Sequence, residues 1–225
     1  MIETKNLFKT FVNGEIETPV LKGIDLKVNG GEFIAIMGRS GAGKSTLLYQ
    51  MSLLDEPTSG EIIVNGQQAH SMSEAEKSRF RLIQFGYVFQ DYALLPELTA
   101  LENVALPLLM QDIGKELAYQ KSREALEKVG VGHRLGNLPS QLSGGEQQRV
   151  SIARAIAHGP TILFADEPTA NLDNDSSRAI LDIFRDLHKK GQTIIMVTHE
   201  EEFSTEAGKI IRIDDGKIVS VEVDR

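Results

Sequence analysis

Apolar residues in the first part of the chain occur in short runs separated by polar turns. Residues 24–28 alternate apolar and polar side chains, Asn29-Gly30-Gly31 follows as a turn signal, and residues 33–37 form a continuous apolar run. This pattern predicts two strands joined by a turn, with the second strand buried. A glycine-rich segment at 38–46 follows and leads into residues 47–51, which are typical of the first turns of a helix. The predicted order is therefore strand, glycine loop, helix.

The pattern becomes helical over residues 91–159 and then returns to strands. Capping-box sequences, in which Ser or Thr precedes Glu by three positions, begin at Ser73, Thr99 and Ser143, and residues 115–129 carry apolar side chains at helical spacing. Strand patterns at 162–165 and 194–197 flank a predicted helix near 177–190, and Asp215-Gly216 predicts a closing hairpin. Strands that alternate with helices predict an α/β fold with a mainly parallel sheet.

Composition narrows the class of protein. A length of 225 residues allows one large α/β domain or a core with a smaller inserted lobe. The sequence has no apolar run near the roughly 20 residues that cross a bilayer, and residues 1–6 lack the profile of a signal peptide, so we expect a cytoplasmic location. The absence of cysteine excludes thiolate zinc sites and cysteine nucleophiles. A net charge of -8 argues against a nucleic-acid partner.

The glycine-rich segment matches G-x-x-x-x-G-K-[S/T], which cradles phosphates when it lies between a strand and a helix. Its glycines let backbone N–H groups point inward, and the positive end of the following helix dipole favours an anion. We expect Lys44 to contact the terminal phosphates and the Ser45 hydroxyl to bind Mg²⁺. A glycine-rich turn without a ligand is the alternative. The predicted nucleotide-binding residues here are Gly38, Arg39, Ser40, Gly41, Ala42, Gly43, Lys44, Ser45 and Thr46.

Two adjacent acids, Asp166 and Glu167, follow the apolar run at 162–165. A buried strand that ends there would present both carboxylates beside the phosphate loop. We expect Asp166 to hold Mg²⁺ through its water shell and Glu167 to polarise a water for attack on the γ-phosphate. Without the upstream phosphate loop, the same pair would be equally typical of a solvated strand end.

Residues 142–149, Leu-Ser-Gly-Gly-Glu-Gln-Gln-Arg, resemble the signature of the ATP-binding-cassette (ABC) family. The signature begins a second helix, whose N-terminus can bind a γ-phosphate. The alternative is that these residues only cap the helix and bind no ligand. The resemblance implies that the signature of one subunit closes over ATP held by the other, so that a head-to-tail homodimer encloses two ATPs. The nucleotide-binding residues that it implies are Ser143, Gly144, Gly145 and Glu146.

This resemblance covers the whole chain and implies how it is organised. It implies a P-loop NTPase core with a mainly parallel sheet, an N-terminal antiparallel β subdomain and an inserted α-helical subdomain. The chain would be a single ABC ATPase domain, in which residues 1–90 and 160–225 form the RecA-like core with the β subdomain and about 91–159 form the helical signature subdomain.

Further site residues are implied by the same resemblance. Gln90 matches the glutamine that contacts magnesium and links the core to the helical lobe, and His199 matches the histidine that contacts the γ-phosphate. Asp173 matches the loop that crosses the dimer interface. Taken singly, Gln90 and His199 are more typical of ordinary polar residues at strand ends. Phe11 stands where the family commonly has a tyrosine that stacks on adenine, with a core role as the alternative, and Ala170 stands where relatives often have serine or glycine.

The function implied is that of a separate ATPase subunit, with ATP and Mg²⁺ as cofactors. Residues 52–60 and 98–104 resemble the lipoprotein-release and macrolide-export group, whose ATPases drive integral membrane subunits from the cytoplasmic face of the cell membrane. Docking is expected through a groove near Gln90. One alternative is a non-transport signalling ATPase of the cell-division kind. Another is a DNA-repair or translation cassette, which the acidic charge and the short helical lobe disfavour.

Overall fold

The computed structural model describes residues 1–200 and 206–223. Residue contacts divide the chain into two compact units, residues 1–81 with 191–225 (the first unit) and residues 82–190 (the second unit). The second unit contains strands as well as helices, so this division does not test the predicted boundaries of the helical subdomain, which stay a prediction. Every regular element between residues 91 and 159 is helical.

An antiparallel sheet forms the N-terminal part of the first unit. Strands β1 (Ile2–Asn13), β2 (Ile16–Val28), β4 (Ser59–Val64) and β5 (Gln67–Gln68) lie in the order β2-β1-β4-β5. The first two strands are longer than the short runs that the sequence pattern predicts, because register shifts between β1 and β2 interrupt the alternation of buried and exposed residues. The sheet confirms the antiparallel β subdomain.

The other strands of this unit are three parallel strands and one antiparallel strand. Strand β3 (Phe33–Met37) pairs in parallel with β8 (Thr193–Val197) and with β9 (Lys209–Asp214). All residues of β3 and β8 are buried, as expected for parallel strands covered on both faces. Strand β10 (Lys217–Val223) pairs antiparallel with β9 through the predicted Asp215-Gly216 turn, whose two residues both have positive φ. The first unit also contains helix α1 (Lys44–Met51), the 3-10 helix Ala69–Ser71 and most of helix α2 (Glu74–Gln84), whose last three residues belong to the second unit.

The second unit combines one parallel strand pair with helices. Strands β6 (Phe85–Val88) and β7 (Ile162–Asp166) pair in parallel, and the rings of Phe85 and Phe164 meet edge to face with centroids 5.0 Å apart. The helices are α3 (Ala100–Met110), α4 (Lys115–Lys128), α5 (Gly144–Ile156) and α6 (Asn174–Lys189). Together with the first unit, these elements confirm the predicted α/β fold with mainly parallel strands.

Local signals placed the helix starts correctly in most cases. Reciprocal capping-box hydrogen bonds occur at Thr99 and Ser143, and the same exchange joins Ser73 to Glu76. Helix α6 begins at Asn174, earlier than the predicted start near residue 177.

No helix within residues 1–200 and 206–223 is both long and apolar enough to cross a membrane.

Candidate nucleotide-binding site

The phosphate loop lies between the end of β3 and the start of α1, as the sequence predicts. Gly38 and Gly43 have φ angles of 156° and 100°, which residues with a Cβ atom rarely adopt. A Cβ on Gly38 would lie 2.1 Å from the carbonyl oxygen of Ile213, and one on Gly43 would lie 2.9 Å from that of Val20. Both positions therefore require glycine for backbone conformation and for close packing of the loop.

The loop has the features of an anion site. Lys44 is only 7% exposed, and its Nζ donates to the carbonyl oxygen of Arg39 at 3.1 Å, so the ammonium group curls over the loop. Gly43 is the N-cap of α1, and within the part of the chain that the structure describes no side chain caps this end and no acid lies in its first turn. The helix dipole is therefore not neutralised locally. Among residues 1–200 and 206–223, no atom would lie within 4 Å of a Cβ at the exposed Gly41, so these residues leave space there. These features fit a polyphosphate.

His199 lies just after β8, the strand that pairs with β3, and the phosphate loop follows β3. Thr198 N donates to the carbonyl oxygen of Ile36 at 3.2 Å. The carboxyl ends of adjacent parallel strands lie at one edge of a sheet, so the structure brings exposed His199 and Gly38 to the same edge of the first unit.

Phe11 lies on the β1/β2 hairpin, which runs past the phosphate loop. It pairs with Thr18 on β2, the strand whose Val20 approaches Gly43. The Phe11 side chain is 46% exposed, and the Lys9 ammonium lies 4.8 Å from its ring centroid. A ring this exposed is not a core residue. Its stacking on adenine stays a prediction.

In the second unit, Asp166 and Glu167 stand at the carboxyl end of β7. Asp166 is 4% exposed and Glu167 is half-buried. The parallel register pairs Val88 with Ala165, so Gln90 leaves the same edge of the strand pair as the two acids. Glu167 has a φ of 43°, a left-handed conformation that is uncommon for a residue with a side chain and that the sequence did not indicate. Strain of this kind occurs often at functional sites.

The segment after Gln90 is held by hydrogen bonds to its backbone. Gln90 is exposed, and its main-chain carbonyl oxygen accepts from Asn171 Nδ2 at 3.1 Å. Tyr92 and Ala93 both have positive φ, 64° and 49°. The Arg154 guanidinium donates hydrogen bonds to the main-chain carbonyl oxygens of Tyr92 and Ala93, and the bond to Tyr92 is 2.9 Å long. Burial of Arg154 lowers its pKa, as expected when a cation is desolvated.

The signature forms the exposed start of α5. Ser143 is the N-cap, and its Oγ accepts from Glu146 N at 3.3 Å while Ser143 N donates to the Glu146 carboxylate at 2.8 Å. Arg134 Nε donates to the same carboxylate at 2.8 Å. The Ser143 bond and then the Arg134 bond lower the pKa of Glu146 to about 2. The Glu146 side chain is thus engaged within its own chain.

The two signature glycines make close contacts inside the second unit. A Cβ on Gly144 would lie 3.0 Å from the Tyr92 hydroxyl, and one on Gly145 would lie 2.7 Å from Ser176 Oγ. Burial raises the pKa of Tyr92. These contacts give the glycines a packing role, in addition to the predicted role at a phosphate, that the motif alone did not reveal.

Asp173 caps α6. Its carboxylate accepts from Ser176 N at 2.9 Å and from Ser176 Oγ at 2.8 Å, and these bonds lower its pKa. The spacing of Asp173 and Ser176 is the usual N-cap arrangement and could have been recognised in the sequence. The predicted place of Asp173 at a dimer interface stays a prediction.

The predicted magnesium ligands are Ser45, in the first unit, and Gln90 and Asp166, in the second. With only one carboxylate among them, these residues would need phosphate oxygens and waters as further ligands. Among the residues described, no cluster of three His, Cys, Asp or Glu side chains could hold a metal ion.

Comparison with known proteins identifies the family. The model of the family described as ABC transporter matches residues 21–170. An uncharacterized ABC transporter ATP-binding protein of Methanocaldococcus jannaschii is 51% identical, over 98% of this chain and 99% of that protein. The lipoprotein-releasing system ATP-binding protein LolD of Geobacter metallireducens is 45% identical, over 98% of each chain. The macrolide export ATP-binding/permease protein MacB of Marinobacter nauticus is also 45% identical, but this chain covers 34% of its length.

A solved structure agrees with these relatives. A bacterial ABC transporter cassette, solved as a dimer, matches with a TM-score of 0.94 and 38% identity, over 100% of this chain and 99% of that chain. The same cassette has been solved as a dimer in a post-hydrolysis state bound to ADP and Pi. The sequence motifs, the fold and the relatives agree, and the chain belongs to the ABC transporter family, as an ATP-binding cassette.

Proposed function

We propose that this chain is the ATP-hydrolysing subunit of an export or extraction complex and acts as a head-to-tail homodimer around two ATP molecules. The observation that carries the proposal is the phosphate loop, whose glycines have positive φ and which leads into a helix that begins at the buried Lys44 and has no side-chain cap among the described residues. A solved cassette of the same fold is a dimer, and its post-hydrolysis state holds ADP and Pi.

The proposed roles follow the chemistry of each side chain. Lys44 and the backbone of residues 38–46 bind the phosphates, and bound Mg²⁺ supplies positive charge that neutralises the phosphate oxygens. Ser45 and Gln90 would supply oxygen ligands for that ion, and Asp166 would hold it through its water shell. Glu167 accepts a proton from the attacking water, and His199 holds the γ-phosphate. Phe11 stacks on adenine.

The signature and Asp173 are proposed to act at the ATP of the other subunit. Ser143 is exposed at the start of α5, where the helix dipole and the first-turn N–H groups favour an anion. The side chain of Glu146 is engaged by Arg134, so it orients this helix start. Asp173 similarly fixes the start of α6.

A membrane partner is proposed from the relatives and from an apolar groove. LolD is named for lipoprotein release and MacB for macrolide export with a permease. In this chain a groove in the second unit lies by the segment that follows Gln90, and it would receive an apolar segment of a membrane subunit at the cytoplasmic face of the membrane. Its lining includes Leu82, Phe85, Phe89, Leu106, Pro107 and Met110.

The test is Glu167→Gln, alone and combined with Ser143→Arg. If Glu167 activates water, Glu167→Gln should lower the ATPase rate by about 10² to 10⁴-fold and accumulate an ATP-bound dimer on size-exclusion chromatography. Adding Ser143→Arg should return the protein to monomers, because the arginine blocks the contact with the partner's ATP. Normal turnover in Glu167→Gln, or a trapped dimer that persists with Ser143→Arg, would contradict the proposal.

A further inference from the structure

Gln148, on α5, reaches the turn that carries Glu167. Its side chain is fully buried, and Nε2 donates to the carbonyl oxygen of Pro168 at 2.6 Å. Pro168 immediately follows Glu167. The amide of Gln148 therefore holds the backbone one residue beyond the proposed general base, although α5 and β7 are separate elements.

This turn needs support because Glu167 is in an unfavourable conformation. Its φ is 43°, and it precedes a proline, which further restricts the backbone of the residue before it. Such conformations persist only where neighbouring groups fix them. Ala170 N donates to the Glu167 carbonyl oxygen at 3.2 Å from within the turn, and the Gln148 amide adds a short bond from another element.

Packing alone does not explain a glutamine at this position. Its Oε1 atom is buried, and among the described residues it has no hydrogen-bond partner. A buried acceptor without a partner costs free energy, so an apolar side chain of similar length would fill this space at a lower cost if the bond to Pro168 were not needed. The bond from Nε2 is the contact that distinguishes glutamine from such a side chain.

We infer that Gln148 is a positioning residue that fixes the Glu167 turn for water activation. The inference rests on the proposed function. It also gives α5 two tasks, because Ser143 caps the N-terminus of the same helix. Contact between that N-terminus and the partner's ATP would then affect the position of the general base in its own chain, because α5 connects Ser143 to Gln148.

The first test compares Gln148→Met with Gln111→Met. Gln111 Nε2 donates to the carbonyl oxygen of Leu82 at 2.7 Å, so the control removes the same type of bond elsewhere in the second unit. Gln148→Met should lower kcat about tenfold or more while the KM for ATP changes by less than about twofold. Gln111→Met should keep the wild-type kcat. Equal kcat values for the two variants would overturn the inference.

A double-mutant cycle with Glu167→Gln separates positioning from general destabilisation. If Gln148 acts through the Glu167 carboxylate, Gln148→Met should add less than about a twofold loss of rate to Glu167→Gln. The same loss in both backgrounds would overturn the inference. If Gln148→Met does not fold, Gln148→Glu, which keeps the length but presents acceptors to Pro168, replaces it in the same cycle. A wild-type protein without ATPase activity would instead contradict the proposed function itself.

Discussion

Glu146→Gln should destabilise the protein at neutral pH and have little effect in acid. The Glu146 side chain is 12% exposed and accepts hydrogen bonds from Ser143 N and Arg134 Nε, each at 2.8 Å. These bonds lower its pKa from 4.5 to about 2. Glutamine keeps the shape and can still accept the capping bond, but it loses the charge that both donors favour.

The magnitude follows from the size of the pKa shift. At about 1.36 kcal/mol per pKa unit, a shift of this size corresponds to roughly 3 kcal/mol. Solvent screening near the surface, and the bond that glutamine retains, reduce the expected loss to about 1 to 2 kcal/mol. Because the folded-state pKa is the lower one, this stabilisation is fully present above a pH of about 4.5 and disappears as the pH falls towards about 2.

Urea unfolding of wild type and Glu146→Gln at a series of pH values measures this difference. The difference in unfolding free energy should be constant from about pH 7 to about pH 5 and should shrink below about pH 4. Glu124→Gln, which removes an exposed acid on α4, is the matched control and should change the free energy by less than about 0.5 kcal/mol. A difference for Glu146→Gln that is absent at pH 7, or that stays the same in acid, would refute the argument.

Two glycine substitutions test the packing of the site. Gly38→Ala should cost about 3 kcal/mol or more in thermal unfolding, because its Cβ would meet the Ile213 carbonyl 2.1 Å away, and an unchanged Tm would contradict this. Gly145→Ala should cost about 1 to 2 kcal/mol in urea, because it displaces the Ser176 hydroxyl from Asp173. That cost should become smaller in a Ser176→Ala background, which removes the hydroxyl but keeps the Ser176 Cβ at 3.1 Å, and an unchanged cost there would place the clash elsewhere.

Local sequence signals were enough for most of the fold. The order of strand, glycine loop and helix around residues 33–51, the boxes at Thr99 and Ser143 and the Asp215-Gly216 hairpin all depend on residues close in sequence, and all are confirmed. The full length of β1 could not be read in the same way. Its bulges change which side of the strand faces inward, and such a change hides a long strand from any test of alternation.

The candidate site shows where sequence reasoning stops. A motif can place Gly145 at a helix start, but it cannot show that Ser176 packs against it. Nor can it show that Glu167 has a left-handed backbone or that a buried amide from α5 meets the next carbonyl. These features depend on contacts between separate elements. The nucleotide roles of the site residues stay predictions, which the variants above test.

Position 90 has two separate roles: its side chain is the proposed magnesium ligand, and its main-chain oxygen accepts the hydrogen bond from Asn171. Asn171 holds the main-chain oxygen, which every amino acid at position 90 would offer. Exchanging the glutamine for another residue should therefore change the proposed magnesium ligand and leave the path of the chain as it was. The conformation of this segment depends instead on the donors Asn171 and Arg154, and variation at either position would disturb it without replacing the ligand.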